Sequence, residues 1–345
     1  MSSVYRLYLE TDLNRVFTRS LGSVAAAELD VVLTHALGVV DATIERVDEG
    51  RTSYLRFASS GDQNALVEAV AGLSSSAALF REHSPVSLEP IPFDDGLVFG
   101  TELVTAQRYK GKTSERLTRL MLDVARATDA SRAPDRSLVD PMCGRGTTLN
   151  WALLLGIRSV GLDLDRRALD DYATFLQQWA QGHRYPHRMQ RYKKQHSEGR
   201  HFDFTVAADR ATLDAKTGPD IRTFHAPAAD PSTPVGKVSM LVTDLPYGIQ
   251  HPARSGTTPG PGSVGELVAE VSGRWAEWVR TGGSVAASWN VKSLRRAEFV
   301  ALLDSAGFEA VPTAGFEHQV DRTITRDVIV ARRAPRPSTA PSDEM

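Results

Sequence analysis

Residues 243–248 read TDLPYG and follow the run KVSMLV, so an apolar strand ends by presenting Asp244, Leu245, Pro246 and Tyr247 in succession. A second stretch, DPMCGRGTTL from Asp140 to Leu149, sets an acid before a Gly-x-Gly turn and opens a helix at Thr147. Gly144 and Gly146 leave no side chain between the backbone and a ligand. The helix N-terminus points into the crevice beyond the strand ends, where open α/β sheets bind ligands. The next strand, SVGLDLD, ends near Asp163, a placement that suits a carboxylate gripping two ribose hydroxyls.

The residues around the turn narrow the ligand. A phosphate loop needs a Lys after its glycines, and GRGTTL has none. The dinucleotide fingerprint needs a third Gly where Leu149 stands. Asp140 would repel a pyrophosphate and favour an ammonium or a sulfonium. Together these features point to S-adenosylmethionine. Cys143 could be a nucleophile, but no His lies near it in sequence, and a small packed thiol is the favoured reading.

With a methyl donor in place, TDLPY has a chemical use. An exocyclic base amine is a poor nucleophile because its lone pair is spread into the ring. Asp244 can accept one amine hydrogen bond, and a backbone carbonyl at Leu245 or Pro246 can accept the other. Pro246 fixes that acceptor. Tyr247 offers a face for a flipped base, and Gly248 lets the chain turn away.

These residues need strands and helices to hold them. From Ser137 onward the two alternate, which predicts a parallel, doubly wound sheet. SLVD, SVGLDLD, FDFTVAAD, VSMLVTD and GGSVAASWN read as its strands. FEAVPTA and RDVIVARR, with no helix between them, predict an antiparallel hairpin at one edge. TSERLTRLMLDVARATDAS is an amphipathic helix that Thr113 or Ser114 can cap. Residues 1–100 read as a small α+β domain, with a helix whose apolar face is Ala25, Leu29, Val32 and Leu33, and a second helix in DQNALVEAVAGLSSSAALF. Residues 101–334 form the second domain, and 335–345 a Pro/Ser-rich disordered tail.

Lys+Arg number 40 against 42 Asp+Glu, so any nucleic-acid partner must be served by a local patch. One cysteine excludes an internal disulfide and a Cys-based zinc site. No metal is expected. The N-terminus is too polar for a signal peptide and no apolar run approaches a membrane span, so a soluble cytoplasmic protein is expected.

DPMCGRGTTL, VGLDLD and TDLPYG together resemble the methyltransferase domain of the THUMP-associated, UPF0020-type RNA methyltransferases, which make N2-methylguanosine in tRNA. The resemblance spans about residues 105–335. It implies a class I Rossmann-like methyltransferase fold, S-adenosylmethionine as cofactor and tRNA as partner. It also implies that Asp140, Pro141, Cys143, Gly144, Gly146, Thr147, Asp163, Asp209 and Asp244 line the cofactor site. Asp163 would hold the ribose, and Asp209, in VAAD, would face the adenine amine. Asp244, Leu245, Pro246 and Tyr247 would hold the target amine. Arg145 stands where a small residue is commoner, and Leu245 replaces the more frequent first Pro. The family usually carries a THUMP domain before its methyltransferase domain; with about 100 residues there, this one is reduced or missing.

Residues 183–201, HRYPHRMQRYKKQHSEGRH, concentrate six Lys/Arg and four His with two interleaved tyrosines. This composition suits an RNA-contacting loop, with Arg184, Arg188, Arg191, Lys193 and Lys194 as contacts. A smaller cluster, Arg108, Lys110 and Lys112, lies near the start of the second domain and could guide a phosphate backbone. IQHPARSGTTPGPGSVG, after the acid-Pro turn, reads as a segment that orders over the base. The expected activity is methyl transfer to a guanine exocyclic amine. Amino-methylation of DNA adenine or cytosine, or of ribosomal RNA, is an alternative, and so is a non-catalytic RNA-binding protein of the same fold.

Overall fold

The computed structural model describes residues 3–10, 15–40, 42–50, 52–109, 111–193, 199–246, 263–320 and 324–335. The first part of the chain runs β1 (Ser3–Leu9), α1 (Arg15–Leu37), β2 (Ile44–Glu49), β3 (Thr52–Ser59), α2 (Gln63–Ala71), β4 (Ser76–Ser84) and β5 (Ser87–Ile91). Its strands form an antiparallel sheet in the order β2-β3-β1-β4-β5. Strand alternation puts Tyr5, Leu7 and Leu9 of β1 on one face, where they meet Leu29 and Leu33 of α1 and Leu66 and Val70 of α2.

The expected second helix is shorter than its apolar run. α2 stops at Ala71, and SAALF belongs to β4. Ala and Leu favour helix in isolation, but Leu79 pairs with Leu7 of β1 and both are about 1 % exposed. Burying that pair outweighs a helix propensity of a few tenths of a kcal/mol per residue.

α1 has two working faces. Ala25, Leu29, Val32 and Leu33 pack on the first sheet, as their spacing predicts. Val24, Ala27 and Val31 join the core of the second part of the chain. The following α3 (Glu102–Thr105) and α4 (Glu115–Thr128) also belong to that core through Leu103, Val104, Leu117, Leu120 and Met121. Ser114 caps α4 by accepting the Leu117 N–H; Thr113 is engaged elsewhere.

The rest of the chain runs β6 (Ser137–Asp140), α5 (Thr147–Leu154), β7 (Arg158–Asp163), α6 (Arg166–Gly182), β8 (His187–Arg191), β9 (Arg200–Val206), α7 (Arg210–Ala215), β10 (Asp220–His225), β11 (Val238–Asp244), α8 (Val264–Trp278), β12 (Val279–Asn290), α9 (Arg296–Ser305), β13 (Phe308–Ala310), β14 (His318–Gln319) and β15 (Thr325–Arg333). These strands build one sheet in the order β13-β15-β12-β11-β6-β7-β10-β9-β8, with β14 beside β15. The strands β12, β11, β6, β7 and β10 are mutually parallel. β15 runs antiparallel between β12 and β13, so the closing hairpin lies at one edge as its helix-free connection predicts. This is the expected α/β, Rossmann-like sheet behind a small α+β unit. Leu138, Val139, Leu162, Phe224, Leu241 and Val242 are all 0 % exposed. The central strands are thereby fixed from both faces, and their carboxyl ends form a rigid rim.

One strand assignment is corrected. FDFTV is a strand, β9, but it runs antiparallel to β10 and forms a hairpin with β8. The third parallel strand is β10, DIRTFH, whose Asp220 and Arg222 hide it among polar sequence.

Candidate active site

Four parallel strands deliver the candidate residues to one rim. β6 ends at Asp140, which is 2 % exposed. Its Oδ1 accepts the Met142 N–H at 3.1 Å and the Thr243 hydroxyl of β11 at 3.0 Å. Burial pushes this carboxyl up to about 7, against hydrogen bonds from Thr148, Met142 and Thr243 and with a further push from Asp163. Pro141 is buried behind it.

The two glycines of the turn have different tasks. Gly144 has φ +52° and no heavy atom within 4 Å of the place a Cβ would take, so its backbone faces open space. At Gly146, φ +80°, a Cβ would lie 2.1 Å from the Tyr172 ring. Gly146 therefore makes room for packed protein, whereas Gly144 leaves room for a ligand. Cys143 Sγ lies behind the turn, 2.7 Å from a Cβ added at Gly161. Burial first, then Asp163 and Asp140, push its thiol well above its ordinary range. Such a thiol packs and does not attack.

Thr147 begins α5, and its Oγ1 lies 3.3 Å from the Tyr109 hydroxyl. Tyr109 in turn lies under the Arg145 guanidinium, 4.9 Å from ring centroid to Cζ, and Arg145 pairs with Asp171 at 2.7 Å. The linker before α4 thus flanks the glycine turn. Tyr109 was not among the expected residues; an aromatic beside Gly111 in RYKGKT is the only sign of it.

Asp163 accepts the Gly144 N–H on Oδ2 and the Asp165 N–H on Oδ1, both at 2.7 Å. A carboxylate has about four lone-pair directions, so two remain for vicinal hydroxyls. Burial raises its pKa, opposed by those two backbone hydrogen bonds. Open space above Gly144, the ribose-type acceptor Asp163 and the buried acid Asp140 fit a nucleoside carrying a sulfonium. Gly144, Asp163 and Asp140 would hold it.

Asp209 is not part of this rim. It caps α7 after the antiparallel β9, accepting the Thr212 N–H at 2.8 Å, and so stands at the opposite end of the sheet. Its expected adenine-facing role is corrected for that reason. The residue in register with Asp163 is His225, at the end of β10. Its Nε2 lies 3.1 Å from the Leu164 carbonyl, and the Ala226 N–H donates to the Asp163 carbonyl.

β11 ends at Asp244, whose carboxyl is enclosed by three donors. Thr113 Oγ1 donates to Oδ2 at 2.6 Å, Arg326 Nη2 to Oδ2 at 3.2 Å, and the Ser288 hydroxyl to Oδ1. Ser288 sits on the neighbouring parallel strand, in register with Asp244. Leu245 is 1 % exposed, its side chain in the core and its N–H on the Ser288 carbonyl at 2.8 Å. Only its carbonyl is left for a substrate. Pro246 is exposed. Tyr247 and the segment from 247 to 262, expected to stack and to close over the base, lie outside the described residues. Thr113, Ser288 and Arg326 went unseen because each reaches Asp244 from another element.

The basic stretch is a hairpin, β8–β9, rather than a loop. The start of β9 lies at the cofactor end, since the His225 N–H donates to the Gly199 carbonyl at 2.7 Å. Arg184 and Lys193 are exposed. Arg188 pairs with Asp214 at 2.8 Å and Arg191 donates to Thr174 at 3.1 Å. Tyr185 packs against Phe99 and Trp179, and Tyr192 lies under Arg200. Lys112 is held by the Val104 and Gln107 carbonyls and Glu115. Lys110 and Lys194 lie outside the described residues. No metal-binding group occurs, and no helix is long and apolar enough to cross a membrane, among the described residues.

Comparison with known proteins follows the same rim. No curated protein sequence matches the chain. Among solved structures, it is similar to TrmN from Thermus thermophilus, at 15% identity over 85% of this chain and TM-score 0.39. It spans only 60% of that protein. It is also similar to the rRNA methyltransferase AviRa from Streptomyces viridochromogenes (18% identity, 67% of this chain, 90% of that one, TM-score 0.39). A third is a TehB-like S-adenosylmethionine-dependent methyltransferase from Corynebacterium glutamicum (13% identity, 61% and 86%, TM-score 0.34). The UPF0020 family, described as an RMKL-like methyltransferase domain, matches residues 105–287. That span is more than half of the chain and holds the glycine turn, Asp163 and Asp244. The protein is an S-adenosylmethionine-dependent methyltransferase of the UPF0020 family.

Proposed function

We propose that the protein methylates the exocyclic amine of guanine in tRNA, giving N2-methylguanosine. The observation that carries this reading is Asp244, an acid held as an acceptor at the end of β11, one strand from the glycine turn and followed by Leu245 and Pro246. Bound S-adenosylmethionine supplies an electrophilic methyl group on a sulfonium sulfur. The protein's part is orientation. Asp244 has one of its about four acceptor directions left, on Oδ1, and takes one amine N–H there. The Leu245 carbonyl takes the other. With both hydrogens held, the nitrogen lone pair turns out of the ring plane toward the methyl. The positive charge that grows on nitrogen is met by the same two acceptors. Lys193, exposed at the end of the β8–β9 hairpin nearer the cofactor site, supports an RNA phosphate contact.

The test uses purified protein, donor labelled in the methyl group, and total tRNA from a strain lacking the gene, followed by nucleoside analysis. Label in N2-methylguanosine supports the reading. With cofactor binding intact, label absent from tRNA but present in ribosomal RNA or DNA would replace it.

A further inference from the structure

We infer that Thr113, Ser288 and Arg326 are positioning residues that hold Asp244 as a fixed acceptor; this rests on the amine-orienting role proposed for Asp244. Three parts of the chain supply them: the residue just before the cap of α4, the parallel strand β12 and the antiparallel β15. Their bonds to Asp244 are 2.6 Å from Thr113 and 3.2 Å from Arg326, with Ser288 on the other oxygen. Arg326 and Asp244 have side chains 5 % and 16 % exposed, so the pair is shielded from water. Arg326 lies outside the span that the family comparison matches, so that match does not assign this role.

The geometry limits what Asp244 can do. Thr113 and Arg326 both donate to Oδ2, and Ser288 donates to Oδ1. Rotation about the Cβ–Cγ bond would break all three contacts, so the remaining Oδ1 direction is fixed. The carboxylate accepts the amine N–H there. That proton leaves to solvent after the nitrogen–carbon bond has formed and the sulfur–carbon bond has broken.

The other charges around Asp244 do not replace Arg326. His318 on β14 is 4 % exposed, its Nδ1 donates to the Phe316 carbonyl at 2.8 Å, and burial lowers its pKa. Asp327, next to Arg326, is paired with Arg296. Lys112, next to Thr113, is held by Glu115 and two carbonyls. Asp140 faces Thr243, one residue before Asp244. Arg326 is thus the cation that meets the Asp244 carboxyl directly.

Arg326→Met should lower kcat for methyl transfer about tenfold or more, while KM for RNA and cofactor affinity stay within about threefold of wild type. Its loss in urea unfolding should shrink when Asp244 is already Ala, because the two side chains are coupled. That readout needs no substrate, so it tests the clamp even if guanine methylation fails. Arg326→Lys should restore part of kcat. Thr113→Val, nearly isosteric, guards against misfolding of the Met variant and should lower kcat several-fold with KM for RNA unchanged. Unfolding losses of Arg326→Met and Asp244→Ala that simply add, or a Thr113→Val enzyme with wild-type kcat, would overturn the inference.

Discussion

Gly146→Ala should damage both the fold and the cofactor site, and the structure sets the size of the effect. The added Cβ would sit 2.1 Å from Cζ and 2.3 Å from Cε1 of Tyr172. Tyr172 cannot swing away easily: it is 0 % exposed and its hydroxyl donates to Asn150 at 2.8 Å. Asn150 is itself tied to the Leu103 carbonyl at 3.2 Å. The φ of +80° adds about 1–2 kcal/mol for a residue with a Cβ. Overpacking against the ring adds about 1–3 kcal/mol. The total is about 2–5 kcal/mol of lost stability, read from urea unfolding. The same shift should move Gly144 and weaken cofactor binding measured by calorimetry. In a Tyr172→Ala background the overlap is gone, so Gly146→Ala should cost only the backbone share, about 1–2 kcal/mol. A single Gly146→Ala variant within about 0.5 kcal/mol of wild type, or a full cost that persists without the Tyr172 ring, would refute the packing argument.

Two further predictions concern buried acids. Asp140, raised to about 7 by burial, should lose its proton when a sulfonium binds beside it. Cofactor affinity should therefore rise with pH up to about 7, with proton release visible by calorimetry in two buffers, and Asp140→Asn should flatten the dependence. Glu28, buried between α1 and α4, is raised to about 8 by burial and by Asp123. Its ordinary value is 4.5, so the folded protein keeps a proton that the unfolded chain loses. Stability should be fullest below that ordinary value and fall by roughly 2–4 kcal/mol between about pH 5 and 8. Glu28→Gln should remove that slope in urea unfolding across the range.

The sequence showed the parts of the site that are local. Asp140, Gly144, Asp163 and Asp244 each lie at a strand end within a short recognisable run, and the sheet brings them to one rim. What it hid depends on pairing. FDFTVAAD has a stronger strand pattern than DIRTFH, so Asp209 looked like a rim residue. Only the antiparallel register of β9 shows that it is not. Likewise Thr113 lies 131 positions from Asp244, and Ser288 and Arg326 lie 44 and 82 positions away. No local spacing encodes contacts of that range. The two-faced α1 was half visible: its stripe toward the first sheet follows helical spacing, while Val24, Ala27 and Val31 need α4 to explain them. The apparent aromatic interleaving of the basic stretch vanished because Tyr185 was needed for packing against Phe99.

Asp244→Ala carries the central claim. Its cofactor affinity and its single-turnover methyl transfer to tRNA should be measured on the same preparation. An orienting acceptor that touches the amine predicts cofactor affinity within about threefold of wild type and transfer reduced by roughly a thousandfold or more. Transfer at the wild-type rate with Asp244 gone would contradict the account.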